Sequence, residues 1–251
     1  MTQEYIIETY NLCKDFKGFS AVVGVNLRLK RGTIHALIGP NGAGKTTCFN
    51  LITKFLTPTK GQIFFKGREI TRLRPAEIAR LGMVRSFQIS AVFLHMTVIE
   101  NVRVALQRKM GNSYHFWRSE KVLSILNERA MELLAAVGLA EYSDVPAVEL
   151  PYGRKRALEL ATTLALEPEV LLLDEPMSGM AREDIGRIAA LIKRVAADRT
   201  VLMVEHNLSV VADLSDFITV LHNGTILAEG TYQEVSNKSE VIRAYMGTGH
   251  G

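Results

Sequence analysis

Residues 33–46 read TIHALIGPNGAGKT, and no other stretch restricts the fold of this chain as strongly. A strand-patterned apolar run ends in the spacing G-x-x-x-x-G-K-[ST]. It passes straight into residues 44–56, where Phe49, Ile52, Phe55 and Leu56 recur at helical spacing. A strand that delivers a glycine loop onto a helix N-terminus is a phosphate cradle. Gly39, Pro40, Asn41, Gly42, Ala43 and Gly44 form the loop. Gly42 and Gly44 let the backbone curl so that successive N–H groups face one ligand, and the helix N-terminus adds its positive end. Lys45 is expected to reach the β- and γ-phosphates of a nucleotide, Thr46 to offer its hydroxyl to Mg²⁺, and Thr47 to add a phosphate contact. Average composition would give this match by chance in about one chain of this length in a hundred. The strand–helix setting makes an accidental turn rarer still.

A second stretch runs from Leu150 to Pro176, LPYGRKRALELATTLALEPEVLLLDEP. It opens on Tyr152-Gly153, read as a glycine turn entering a helix-patterned segment. It closes on an apolar strand, Val170 to Leu173, that delivers Asp174 and Glu175 before Pro176 ends it. Two adjacent carboxylates are ordinarily a solvated acidic turn. Downstream of a phosphate loop the chemistry favours another reading. An Asp at such a strand end holds Mg²⁺ through water, and the adjacent Glu is placed to take a proton from attacking water. A positioned general base contributes about 10²–10⁴ in rate, roughly 3–5 kcal/mol of barrier.

Around these motifs the patterning is that of an α/β protein. Alternation over 5–38, with turns at Lys17-Gly18 and Lys30-Arg31-Gly32, predicts strands ahead of the helix. GQIFF (61–65) predicts a hairpin turning at Lys66-Gly67. From about 91 to 165 the pattern is helical throughout, and 121–139 reads as an amphipathic helix stopping at Gly138. Strands return at 170–173, 200–204 and 217–221, with 187–196 helical between the first two, and Asn223-Gly224 signals a hairpin. Strands alternating with helices mean a mostly parallel core.

Composition sets the remaining bounds. With 251 residues, 47% of them hydrophobic, the chain can bury a full core. No apolar run approaches the roughly 18 residues of a membrane span, and MTQEYIIE lacks a signal-peptide pattern. The chain is therefore expected to stay where it is made and to meet a membrane only through a partner. A net charge of +4, scattered except at Arg154-Lys155-Arg156, argues against a nucleic-acid surface. Cys13 and Cys48 form no metal or redox spacing.

Together these residues resemble the ATP-binding cassette (ABC) ATPase family. GPNGAGKT resembles its Walker A motif and VLLLDEP its Walker B, while LPYGR stands where the signature, usually LSGGQ, belongs. Gln88 in MVRSFQ matches the Q-loop glutamine and His206 in VLMVEHN the switch histidine. Ser178-Gly179-Met180-Ala181 takes the D-loop position. Phe16 sits where the family places an aromatic on adenine, with Tyr10 and Phe19 as competitors. Order and spacing agree from about residue 5 to 235. The resemblance implies a P-loop NTPase (RecA-like) core with an antiparallel β-subdomain and an inserted α-helical subdomain. Residues 1–90 would hold the β-subdomain and first part of the core, 91–165 the helical subdomain with the signature, 166–235 the rest of the core, and 236–251 a C-terminal helix and tail, all one ATPase domain. FLTPTKGQIFFKG, FLHMTVIENV, the LPYGRKRALELA helix and the tail GTYQEVSNKSEVIRAYMG are similar to ATPase subunits of the branched-chain amino-acid uptake class. Val241-Ile242-Arg243-Ala244-Tyr245 is the most class-specific part.

The resemblance also implies cofactors, partners and roles. ATP and Mg²⁺ are the cofactors, with Thr46, Gln88 and Asp174 at the metal. Two cassettes sandwich two ATP molecules, each held by Walker A of one subunit and by Tyr152, Gly153 and Arg154 of the other. Glu175 activates water, His206 orients it or contacts the γ-phosphate, and Gln88 reports nucleotide state to the membrane partner. Permease subunits, a second cassette (a paralogue or a second copy) and a periplasmic or extracellular binding protein are the implied partners, with no nucleic acid. The implied location is cytoplasmic, on the inner face of the membrane. A soluble ABC ATPase of the metal-cluster assembly type is the competing function. The signature departs from the family pattern, because Pro151 replaces its serine and removes a hydroxyl and an N–H. Such a hydroxyl on a phosphate oxygen is worth roughly 1.5–3 kcal/mol. The grip on the opposite nucleotide then falls to N–H groups near Tyr152 and Gly153, with Arg154 adding charge. Met180-Ala181 likewise departs from the common Leu-Asp or Leu-Asn.

Overall fold

The alternation ahead of the glycine loop builds an antiparallel sheet. The computed structural model describes residues 4–86, 92–109 and 120–246, without the side chains of 108–109 and 120–125. The chain forms two compact units. One comprises the residues up to Arg85, Glu169–Met177 and those from Lys193 onward; the other comprises Ser86–Pro168 and Ser178–Ile192.

In the first unit, β1 (Tyr5–Phe16) pairs antiparallel with β2 (Phe19–Val25) and with β3 (Arg28–Lys30). β4 (Ile34–Ile38), buried along its whole length, runs into the glycine loop and α1 (Lys45–Ile52). The helical spacing over 44–56 overstates this helix. It ends at Ile52, Lys54 turns left-handed at φ 63, and Phe55 is exposed rather than in the core. β5 (Lys60–Phe65) and β6 (Arg68–Glu69) complete the sheet in the order β2-β1-β5-β6. They turn at Lys66-Gly67 with φ 51 and 70, the primed geometry that matches strand twist. α2 (Pro75–Arg80) leads to β7 (Met83–Ser86).

The second sheet of this unit has the order β11-β10-β4-β9-β8-β7, with β8 (Val170–Asp174), β9 (Thr200–Val204), β10 (Phe217–His222) and β11 (Thr225–Gly230). β10, β4, β9 and β8 run parallel, and β11 folds back through the Asn223-Gly224 turn. β4, β8 and β9 are buried throughout, as their continuous apolar runs require of strands covered on both faces. Val204 lies opposite Leu37 on one side and Asp174 on the other. Three strand ends therefore finish on one row, and the loops leaving them share the carboxyl edge of the sheet, where open α/β sheets bind ligands. Phe49, Phe65, Leu37, Leu172 and Leu202 join both sheets and α1 in one core. Each such side chain contributes about 1.5–3 kcal/mol on burial.

The second unit is helical: α3 (Val98–Lys109), α4 (Glu120–Ala136), α5 (Tyr152–Leu164) and most of α6 (Arg182–Val195). Helix does not run throughout 91–165, because 92–97 and 137–151 form turns and short 3-10 segments. Thr97 and Glu100 form a capping box at the start of α3, with Thr97 N–H donating to Glu100 Oε2 at 2.8 Å. Gly138, at φ 72, follows α4 as the apolar pattern predicts. The glycine turn expected at Tyr152-Gly153 is not a turn. Both residues are already helical, and Pro151, at φ −56 and ψ 157, is the cap that admits the chain to α5. α5 buries Ala157, Leu158, Ala161 and Leu164 along one stripe and packs on α3 and α4.

The chain returns to the first unit through α7 (Leu208–Leu214), α8 (Tyr232–Ser236) and α9 (Ser239–Met246), the last burying Val241 and Ala244. Cys48 is buried, Cys13 half-buried, and both are free thiols. Among the described residues no helix is long and apolar enough to cross a membrane.

Candidate functional site

The loop between β4 and α1 has its shape forced by close packing. Gly44 caps α1 at φ 95, and a β-carbon there would lie 2.4 Å from the Ala21 carbonyl oxygen. The Gly224 N–H donates to the Ala43 carbonyl at 3.0 Å, and the Val23 N–H donates to the Gly224 carbonyl at 2.8 Å. The last hairpin thus braces the loop against β2. Gly39, Pro40 and Ala43 are buried, Asn41, Gly42 and Thr46 exposed, and Gly44 and Thr47 half-buried. Buried Lys45 curls back to donate to the carbonyls of Gly39 at 2.7 Å and Pro40 at 3.0 Å. Burial pushes its ammonium below the usual lysine range, and the Glu175 charge opposes that shift. Tyr245, from α9, lies against the start of the loop. Burial pushes its phenol up to about 12, opposed by a hydrogen bond from the Gly39 backbone.

The ends of β8 and β9 add carboxylates. Asp174 closes β8 almost fully buried, and its Oδ2 accepts from Arg85 Nη2 at 2.6 Å. Burial raises its pKa, Arg85 opposes that rise, and Glu175 adds to it. Glu175 follows at φ 46, a left-handed backbone that costs a side-chain-bearing residue about 1–3 kcal/mol and clusters at functional sites. Its N–H is held by the Val204 carbonyl at 2.9 Å. His206 leaves β9 with an exposed side chain and an N–H fixed by Glu205 Oε2 at 2.9 Å.

Glu205 went unmarked in the sequence. It is fully buried, and beyond His206 it accepts from the Asn207 N–H at 3.1 Å and the Met177 N–H at 3.1 Å. One carboxylate thus fixes both the turn after Glu175 and the start of the His206 segment. Its signal was a carboxylate placed directly after the apolar run 201–204. Arg85 was also missed, since nothing in MVRSFQ shows that its partner lies on another strand.

The expected signature residues belong to the second unit. Gly153 is buried because the Asp184 carboxylate packs on it. A β-carbon there would lie 2.7 Å from Asp184 Cγ. The Tyr152 hydroxyl donates to the Ser178 carbonyl at 3.2 Å and accepts from Arg156 Nη2 at 3.0 Å. Arg156 also pairs with buried Glu159 at 2.8 Å. The Arg154 guanidinium stacks on the Tyr142 ring at 4.1 Å. In the first unit, Phe16 is exposed beside the Lys17-Gly18 turn, with Lys14 Nζ 5.3 Å from its ring centre. Phe19 and Tyr10 are also exposed, Tyr10 while bonding Glu8 and packing edge-on against Phe64. Gln88 and Phe87 lie outside the described residues. The structure therefore gathers the loop, Asp174, Glu175 and His206 on one edge of one unit, and the signature on the other unit.

The sequence profile of the ABC transporter family matches residues 22–178. The chain is similar to the high-affinity branched-chain amino acid transport ATP-binding protein BraF of Pseudomonas aeruginosa, with 38% identity over 96% of this chain and 98% of that protein. The corresponding protein LivG of Escherichia coli K12 is 38% identical over the same shares. Among solved structures, the ADP conformation of MJ1267, an ATP-binding cassette of an ABC transporter, matches with a TM-score of 0.85 and 31% identity, covering 98% of this chain and 100% of that one. The likeness thus takes in nearly the whole chain, and this protein belongs to the ABC transporter family as one of its nucleotide-binding ATPases.

Proposed function

We propose that this chain is the ATP-hydrolysing subunit of an importer for branched-chain amino acids or closely related small molecules. The convergence of the glycine loop, Asp174, Glu175 and His206 on one sheet edge carries the reading, because ATP hydrolysis needs a phosphate cradle and a base together. The relatives named for branched-chain amino acid transport favour an importer over a soluble, non-transport ATPase. The four segments of the chain work as one ATPase domain. Two cassettes, identical or paralogous, close on two ATP molecules beneath permease subunits that receive cargo from an external binding protein.

In this reading the loop N–H groups and Lys45 bind the phosphates, and Lys45 exchanges its Gly39 and Pro40 carbonyls for phosphate oxygens. The available donors fit Mg²⁺, since the Thr46 hydroxyl and Asp174 carboxylate are hard oxygen ligands and this ion takes few protein ligands beside phosphates and water. Thr46 and Asp174 would hold it, with Gln88 as a further ligand, and bound Mg²⁺ supplies neutralisation of phosphate charge. Glu175 takes the proton of the attacking water, and His206 orients that water or contacts the γ-phosphate. Phe16 stacks on adenine. Tyr152, Gly153 and Arg154 meet the nucleotide of the opposite subunit.

A permease contact is proposed on the second unit. Asn101, buried, accepts from the Phe93 N–H at 2.6 Å and donates to the carbonyls of Phe93 and Thr97, pinning a loop that exposes Phe93, Leu94 and Met96. An exposed apolar group on a pinned loop suits a partner. Phe87 and Gln88 are assigned to the same groove. Replacing Phe93 and Met96 together by serine is expected to leave isolated ATPase activity unchanged and to abolish co-purification with the permease and uptake of labelled leucine in vesicles. Loss of isolated activity, or uptake unaffected by the change, would overturn the assignment.

A further inference from the structure

Arg85 has no role assigned in the sequence motifs, yet its guanidinium is contacted on several sides. Nη2 donates to Asp174 Oδ2 at 2.6 Å, and Nη1 donates to Asn50 Oδ1 at 2.7 Å. The rings of Phe49 and Phe55 each lie 5.0 Å from it. The side chains of the ion pair are 13% and 2% exposed. A buried ion pair is weak grounds for stability, since desolvation offsets most of the attraction, so its presence calls for another explanation. The geometry offers one. A fork-to-fork Arg–Asp pair uses both carboxylate oxygens. Here the terminal nitrogens are divided between Asn50 and Asp174, so the pair uses Oδ2 alone. Among the described residues the one side-chain hydrogen bond to Asp174 goes to Oδ2, leaving Oδ1 without a donor, while Arg85 Nε is buried without a partner. Asn50 and Phe49 belong to α1, whose first turn carries Thr46, and Asp174 ends β8.

We propose that Arg85 is a positioning residue for the metal site, locking α1 to the end of β8 and leaving Oδ1 of Asp174 as the oxygen that would hold the metal, directly or through its water. The proposal rests on the reading above that Thr46 and Asp174 hold Mg²⁺. Its test is Mn²⁺ binding in the presence of a non-hydrolysable ATP analogue, followed by electron paramagnetic resonance, beside nucleotide binding in EDTA. Arg85→Met, whose flexible apolar side chain suits the space between two rings, is expected to weaken Mn²⁺ binding by about 10–100-fold, the usual effect of removing a group that orients a metal ligand. Nucleotide affinity in EDTA should not change. Asn50→Ala should act in the same direction and decides the matter if Arg85→Met fails to fold. Asp174→Asn separates the two claims. If it leaves Mn²⁺ affinity intact, the assignment of Asp174 fails. If it weakens Mn²⁺ while Arg85→Met and Asn50→Ala do not, or if these two weaken metal-free nucleotide binding equally, the role of Arg85 fails.

Discussion

At the scale of single residues, the site depends on groups whose backbones are held in place from elsewhere. Glu175 keeps a left-handed backbone because the Val204 carbonyl takes its N–H, and Glu205 fixes the turn that follows through the Met177 N–H. Glu175→Gln preserves size and polarity but removes the base. It is expected to leave ATP binding intact and to lower hydrolysis by about 10²–10⁴. Phosphate release against equilibrium nucleotide binding checks this, and near-normal turnover would remove Glu175 from the base role. The candidates readable in the sequence were those whose chemistry is written in local spacing: Gly44 and Lys45 in the loop, and Asp174 and Glu175 after an apolar strand. Glu205 and Arg85 act through partners distant in sequence, which a linear pattern does not show.

At the scale of elements, the N-terminus of α5 is tied to the segment before α6. Tyr152 reaches the Ser178 carbonyl, Arg156 steadies the Tyr152 hydroxyl, and Asp184 packs on Gly153. If α5 grips nucleotide across the dimer, this tie sets where its first-turn N–H groups stand. Tyr152→Phe removes the hydroxyl and keeps the ring. Besides the bonds from Arg156, the change removes the tie to the Ser178 carbonyl, and loss of that bond, about 0.5–1.5 kcal/mol, is expected to weaken ATP-driven dimerisation roughly two- to tenfold. Light scattering in the Glu175→Gln background would read this, with chemical unfolding as the control, and unaltered dimerisation would exclude the tie. Sequence reading put a turn at Tyr152-Gly153 because glycine is a turn residue. Its reason here is tertiary, the close approach of the Asp184 carboxylate. The early end of α1 escaped notice similarly, since Lys54 adopts the left-handed backbone normally left to glycine. The hairpin turns at Lys66-Gly67 and Asn223-Gly224 were legible, because two-residue turns with positive φ at both positions favour a glycine in the second.

At the scale of the whole chain, strand order was the least legible feature. β4 lies between β9 and β10, residues far along the chain, and only the buried apolar runs hinted at a shared parallel sheet. Inside that sheet His35 packs against Phe217, and its Nε2 lies 2.8 Å from Thr219 Oγ1. The Thr219 hydroxyl spends its proton on Glu229, so His35 Nε2 must carry one. Burial pushes the imidazole pKa down to about 4. An unfolded chain, titrating near 6.5, therefore binds more protons than the folded one between these values. Stability from this group is complete above about pH 6.5 and falls by about 1.4 kcal/mol per pH unit toward pH 4, on the order of 3 kcal/mol in all. Urea unfolding at about pH 7 and about pH 5 should show the loss, and His35→Gln should flatten it.

The brace from Gly224 to Ala43 and Val23 carries a consequence for how the protein is made. The loop proposed to cradle phosphate is encoded early but closed by a turn encoded late. A nascent chain can hold the helix and the glycine sequence without holding the loop in its final curvature, because the strut has yet to be synthesised. Contacts of such sequence separation slow folding, because the intervening chain must be ordered before they form. In the proposed reading of this loop, nucleotide binding waits until the Asn223-Gly224 hairpin has docked, so a chain cut short before that turn is expected to carry the glycine sequence without the binding.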